Sequence, residues 1–382
     1  MSIDATWSGN IGEWGEAFAL LHLLAHNRLY NADSHGRRID TEYGDVEAIY
    51  RTEANNVELE LIVCHDDIEV VQDGQSVLRI PKDDFADAAH NLFLGMKGQG
   101  TTAEHPEQEF LKRLGCERLK ASSLMKADMS ALIRDGFLSS RVRRDFSIKT
   151  VVGGDPSLAN ASGQSYIDYE LPGFNAEKAE AVMSVVDGSW VVERTRMVLA
   201  LCGSVSPVPV VRSPIFQRNL RRCYWCAPEV VGLALLYGQL HRGKPVIESI
   251  ADLMARNPLD FAPEEYEDCD VAVRRYLWGI VFDLDPGQPW HGPSQVDGYL
   301  LVTDDEQVLA YQVSRQRSFE NYLLLHTHWD TPSTRRYKDI GRVWQREDDG
   351  QWMYTLNSVI RYNAREYSGD NKDLLRADSI KI

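Results

Sequence analysis

Two short alternating segments constrain this chain more than anything else in it: residues 128–133 (DMSALI) and 145–152 (DFSIKTVV), joined by a basic, turn-prone link. A two-residue period belongs to a strand with one face in a core. Paired as a hairpin, the segments turn Phe146 and Ile148 to one face and Ser147 and Lys149 to the other, with Asp128 opening the neighbouring strand. One carboxylate and one ammonium then share a surface. Gly153-Gly154-Asp155-Pro156 ends the second strand, and a helix is expected from Ser157.

The rest of the pattern is mixed. Trp14, Ala17, Phe18, Leu21 and Leu24 recur at helical spacing over 13–25, so an amphipathic helix opens the fold. Residues 57–64 alternate as a strand, and 68–80 read as a hairpin turning at Asp73-Gly74. Helical spacing returns at 84–94 and 107–115, then at 228–241, 246–256 and 263–280, with Pro228 and Pro263 placed for helix starts. From Tyr299 strands are expected near 299–303 and 307–313, a helix near 318–326, and strands near 341–346 and 352–361. The fold class is α/β or α+β, a mixed sheet flanked by helices. A boundary near 225 separates a core over 1–225, with a β-rich insertion around 45–80, from a lobe over 226–362. A polar, flexible tail is expected over 363–382.

The formal net charge is −16, but its distribution matters more than its sum. Segment 111–149 holds ten Lys/Arg against four Asp/Glu, and 312–346 holds seven against three. Arg212, Arg218, Arg221 and Arg222 stand in a stretch, 212–222, without an acid. Each stretch alone could be a solvated face. Three in an acidic chain, one overlapping Asp128 and Lys149, suit a groove for a polyanion. No apolar run approaches the roughly 20 residues of a membrane helix, and Met1-Ser2-Ile3-Asp4 has no signal-peptide character, so a cytoplasmic location is expected. Six scattered cysteines fit a reducing compartment. Cys223 and Cys226 form a CxxC, but zinc needs four ligands, and Cys269 and His241 would have to be recruited, so burial is favoured. His326 and His328 alternate two apart, open to a metal, a core or a DNA-backbone role.

A carboxylate beside an ammonium suits metal-assisted phosphodiester hydrolysis. Mg²⁺ takes oxygen ligands and keeps several waters, so one or two carboxylates plus substrate phosphate suffice. A lysine can orient or deprotonate the attacking water and offset the transition state's charge. The order Asp128, Ser147, Lys149 resembles the PD-(D/E)xK nucleases, with Ser147 where the second acid usually stands. That resemblance implies the Ile148 backbone carbonyl as a metal ligand beside Asp128. Gln164, which offers an oxygen without charge, and Glu16 or Glu13 on the first helix are candidates to replace the missing acid. The bland alternative is a lysine paired with a structural aspartate at a strand end.

Further motifs run the length of the chain: 10–16 (NIGEWGE), Ala32-Asp33, 126–129 (KADM), 146–150 (FSIKT), 156–162 (PSLANAS), 216–220 (FQRNL), Pro228-Glu229, Trp290-His291-Gly292, Asn321-Tyr322-Leu323, Thr327 and 356–361. In this order they resemble the HpaII family of type II restriction endonucleases, over about residues 10–362. Ile11 stands where the family has a basic residue, and the chain is one residue longer around Arg335-Arg336 before Gly341. The resemblance implies a PD-(D/E)xK restriction-endonuclease-like core with a C-terminal DNA-recognition lobe. It also implies Mg²⁺-dependent cleavage of double-stranded DNA at a short palindrome, CCGG in the namesake, and a companion DNA methyltransferase, and it leaves a homodimer open. Arg335, Arg336 and Arg361 are the candidate guanine readers, followed by Arg218, Arg221 and Arg222, with Arg143 and Arg144 also placed on DNA. Two rival readings remain: a modification-dependent or structure-selective nuclease on the same scaffold, and a DNA-binding protein whose nuclease site is dead.

Overall fold

The opening motif folds because its own side chains cap a helix. In a computed structural model, the Asn10 carboxamide oxygen accepts from the backbone N–H groups of Gly12 (2.8 Å) and Glu13 (3.1 Å), and the Glu13 carboxylate accepts from the Asn10 N–H (2.9 Å). This reciprocal capping box satisfies donors that the first helical turn leaves open. It starts α1, Ile11–His26, which ends at Asn27 in the left-handed conformation. The structure describes residues 6–363 except 54–56, 101, 120–126, 136–139, 155, 283, 293–295 and 313–315. The expected tail from 364 onward, and Lys126 of the KADM motif, lie outside the described residues.

The chain divides into two compact units, Met1–Gly154 with Ser294–Phe319, and Asp155–Pro293 with Glu320–Ala377. In the first, the strands are β1 (Arg28–Ala32), β2 (Arg38–Thr52), β3 (Glu58–Val63), β4 (Asp67–Gln72), β5 (Gln75–Pro81), β6 (Met129–Asp135), β7 (Arg141–Thr150), β11 (Gly298–Val302) and β12 (Val308–Gln312). They hydrogen-bond in the order β1-β12-β11-β7-β6-β2-β3-β4-β5, and β1 also pairs with β2, so six strands close a ring from which β3–β5 extend. The sheet is mixed, with β7 parallel to β11 and β1 parallel to β12. Met129, Ala131, Ile133, Phe146, Ile148, Leu300, Val302 and Ala310 share one core with Trp14, Phe18 and Leu21 of α1 and with Phe85, Leu92 and Phe93 of α2, Lys82–Lys97. A six-residue helix, α3 (Gln108–Arg113), completes the helical cover.

The expected mixed α/β class is observed. The unit boundary falls at 154 rather than 225, and the hairpin expected at 299–313 belongs with β7 and β1 instead of a separate lobe. Its first strand, Gly-Tyr-Leu-Leu-Val, is buried at every residue, as a strand with neighbours on both sides requires.

The second unit contains a four-stranded sheet, β10 (Val208–Val211), β9 (Tyr166–Glu170), β15 (Trp352–Asn357) and β14 (Val343–Gln345), and a three-stranded one, β13 (Thr327–Trp329), β16 (Ile360–Tyr362) and β8 (Ser157–Ala159). Its helices are α4 (Ala176–Met183), α5 (Trp190–Cys202), α6 (Pro214–Cys223), α7 (Ala227–Gly238), α8 (Val246–Arg256) and α9 (Tyr266–Val281), and α10 (Gln316–His326) spans the boundary in sequence. The helix expected from Ser157 is strand β8, held by pairing with β16, a partner some 200 residues away in sequence that no local pattern announces. Inside this unit Arg274 is 1% exposed and bound to Asp270 (2.7 Å) and Asn321 (2.8 Å). Among the described residues no helix is long and apolar enough to cross a membrane.

Gly15 sets how closely α1 approaches β7. A Cβ there would lie 2.8 Å from the Cβ of Thr150. Gly15→Ala should therefore lower stability by about 1–3 kcal/mol, the usual penalty of overpacking, seen as an earlier urea midpoint. An unchanged midpoint would contradict the contact.

Candidate active site

Register decides which side chains meet. β6 and β7 pair antiparallel with Met129 opposite Phe146 and Ser130 opposite Asp145, which brings Asp128 opposite Ser147. The Asp128 N–H donates to the Phe146 carbonyl at 2.9 Å. Along β7, Phe146, Ile148 and Thr150 are buried while Asp145, Ser147 and Lys149 are half-buried, the alternation expected of one covered face. Asp128, Ser147 and Lys149 thus share the face opposite the α1 core.

One oxygen of Asp128 is engaged and the other is not. Oδ2 accepts from the Ile148 N–H at 2.8 Å and from the Ser147 hydroxyl at 3.1 Å. Oδ1 has no hydrogen-bond partner among the described residues. Lys149 is one pleat beyond Ser147, about 7 Å along the strand at 3.2–3.4 Å per residue, beside the buried Leu301 of β11. It too has no hydrogen-bond or ion-pair partner among the described residues. The bland expectation of a lysine paired with a structural aspartate is not what the site shows. Ser147 does not replace an acid; it donates to one.

The first helix separates its two acids. Glu13 is committed to the cap of α1, a structural task. Glu16 follows Gly15, whose backbone rests on Thr150, so it belongs to the turn of α1 that crosses the C-terminal end of β7. Gln164 is exposed in the second unit, where its backbone N–H closes a turn on the Ser162 hydroxyl at 2.9 Å. Asp145, which is not among the expected site residues, lies on this face by the same alternation. Its carboxylate accepts from the Ser130 hydroxyl, and its N–H donates to Asp297 at 2.9 Å.

The arginines sort by partner. Arg143 lies 4.0 Å over the Tyr50 ring and 3.2 Å from Glu58, and Arg144 donates to Gln312 at 2.6 Å, so both are tied into the sheet. In the second unit Arg361 is paired with Asp330 at 2.6 Å, and Arg222 donates to the Trp290 carbonyl. Arg212 forks onto Asp168 at 2.7 and 2.9 Å, an internal pair. Arg218 and Arg221 on α6 and Arg335 are exposed with no such partner among the described residues; Arg336 lies over the Tyr337 ring. Burial pushes the thiols of Cys223 and Cys226 up to about 12, which favours the protonated, non-ligating form. His326 stacks on Tyr322 with ring centres 4.6 Å apart.

Among the described residues no three His, Cys, Asp or Glu side chains converge as a protein-built metal cage. A Mg²⁺ site does not require one, because that ion keeps waters and shares its shell with substrate phosphate. The unengaged Oδ1 of Asp128 fits such a role. The Ile148 carbonyl fits as well, because N–H and C=O of one extended residue point to the same strand edge, and this N–H points to Asp128.

The family model described as HpaII restriction endonuclease matches residues 10–362. The type II restriction enzyme HpaII of Haemophilus parainfluenzae is 28% identical over 364 residues, covering 93% of this chain and 99% of that enzyme. No solved structure gives a significant match.

The Asp128 contacts predict unequal costs for two substitutions. Asp128→Ala strips the Ile148 N–H of its acceptor and should cost about 1–3 kcal/mol. Asp128→Asn keeps an acceptor oxygen and should cost less, as side-by-side denaturation of the two variants would show. Equal stabilities would mean the bond is not made.

Proposed function

Because the chain belongs to the HpaII restriction endonuclease family, and is accordingly a site-specific deoxyribonuclease, we propose that it cuts double-stranded DNA at a short palindrome with Mg²⁺, using Asp128 and Lys149. One observation carries the assignment of residues. A carboxylate oxygen and an ammonium, both half-buried and both lacking partners among the described residues, share one sheet face. Leaving charged groups half-buried and unpaired is unfavourable for folding alone, so such groups are candidates for function.

In this reading β6 and β7 form the core of a PD-(D/E)xK site. Asp128 and the Ile148 carbonyl would hold the metal, with Glu16 the acid of α1 left for its surroundings. Bound Mg²⁺ supplies positive charge at the scissile phosphate. Ser147 and the Ile148 N–H fix the Asp128 carboxylate in one orientation, so its free oxygen faces the site without rearrangement. Lys149 orients the attacking water and offers a proton donor to a phosphoryl oxygen as its charge grows. Water adds to phosphorus, the bond to one bridging oxygen breaks, and that oxygen leaves with a proton. Exposed arginines of the second unit, Arg218, Arg221, Arg335 and Arg336, are the remaining candidates for DNA contact. A cytoplasmic enzyme of this kind needs a companion methyltransferase to protect the host's copies of its site.

Lys149→Ala should lower the cleavage rate by about 100-fold or more, in line with loss of an acid–base group, while cognate duplex is still bound. Cleavage of plasmid at the wild-type rate would remove Lys149 from the mechanism. Chelation of divalent ions should stop the wild-type enzyme and added Mg²⁺ restore it. Sequencing the ends of digested, unmethylated plasmid should give discrete sites, whereas cutting restricted to modified or branched DNA would select the rival nuclease reading.

A further inference from the structure

The second unit contains a cleft of about 310 Å³ whose lining includes Ser189, Trp190, Arg242, Ser333, Thr334 and Arg335. Its walls present two guanidinium groups and several hydroxyls, and no carboxylate, in a chain whose net charge is −16. Arg242 is exposed and spends one nitrogen on the Ser189 hydroxyl at 3.0 Å, which steadies it at the rim. Arg335 has no hydrogen-bond or ion-pair partner among the described residues. Asp330, the nearest acid in sequence to the 331–335 wall, is held by Arg361 at 2.6 Å and is not available to either cation. Two forks with free donors beside small hydroxyls match a tetrahedral anion, since arginine pairs with phosphate oxygens in a planar, multi-donor geometry.

The geometry points to this cleft as a docking site for a backbone phosphate of duplex DNA, gripped by Arg242 and Arg335. The inference rests on the restriction-endonuclease reading. It gives Arg242, which no sequence motif singles out, a binding role. It also turns Arg335 from a guanine reader into a backbone contact, which positions the duplex and carries no sequence information.

Phosphate contacts have a thermodynamic signature that base contacts lack. Each one releases counterions, so the plot of log affinity against log salt steepens by about 0.9 per phosphate neutralised. Binding of cognate and scrambled duplexes is measured across a salt series without Mg²⁺, so that DNA is not cut. Arg242→Ala should weaken both duplexes by the same factor and flatten the slope by about one, and Arg242→Lys should restore the slope. Wild-type affinity and slope in Arg242→Ala, or a loss confined to the cognate duplex, would overturn the site. Wild-type protein that neither binds duplex nor cuts plasmid at discrete positions would instead overturn the reading beneath it.

Discussion

The hydrogen bond from the Ile148 N–H to the Asp128 carboxylate holds the candidate site together. A carboxylate at the start of a strand would ordinarily sample several rotamers and lie open to water. Here one oxygen accepts from a main-chain N–H that the β7 register fixes and from the Ser147 hydroxyl beside it. The second oxygen is left without a hydrogen-bond partner among the described residues. Bonds to a charged acceptor contribute about 1.5–3 kcal/mol, enough to hold one rotamer against the entropy of its alternatives. Ser147 therefore has a physical role: its hydroxyl orients the single carboxylate without adding a second negative charge that would have to be screened.

Everything that positions this bond lies on the other side of the sheet. Phe146, Ile148, Met129 and Ala131 are buried against α1 and α2, and that apolar layer sets the pleat which turns Ser147 and Lys149 the opposite way. The glycine in the α1 motif allows the helix to settle on Thr150. Asn10 and Glu13 fix where the helix begins, and Trp14 anchors it by donating to the Ala103 carbonyl at 3.0 Å. The N-x-G-E-W pattern is thus mostly a device for placing a helix, with Glu16 the acid in it that the cap does not use.

The hairpin, its polar face and α1 were legible in sequence because each has a strict period and one buried face. Even so, the capping signature of Asn10 and Glu13, three residues apart, already argued that Glu13 belongs to the helix start. Asp145 was equally visible in the alternation that revealed Ser147 and Lys149. Other elements were not legible for a physical reason. β2 is charged over much of its length and takes its pairing from β1, β6 and β3. β8 is three residues held by a strand from the far end of the chain. A discontinuous unit, in which Ser294–Phe319 returns to the sheet, follows from hydrogen bonds between strands about 150 residues apart in sequence, and composition says nothing about these.

Charge follows the same logic. Several arginines of the basic stretches that carried the DNA expectation have internal partners: Arg212 with Asp168, Arg346 with Glu170, Arg143 with Glu58, Arg144 with Gln312. Those without partners among the described residues, Arg218, Arg221 and Arg335, keep all their donors for a polyanion. The central claim, that one sheet face carries both the carboxylate and the ammonium of the reaction, is tested most directly by a crystal structure with a cognate duplex and a divalent ion that supports binding without turnover. The account predicts the scissile phosphate on the face of β6 and β7 that carries Ser147, with the ion on Asp128 and the Lys149 ammonium within hydrogen-bond reach of a phosphate oxygen. A scissile phosphate bound elsewhere, with Asp128 and Lys149 facing only solvent, would contradict it.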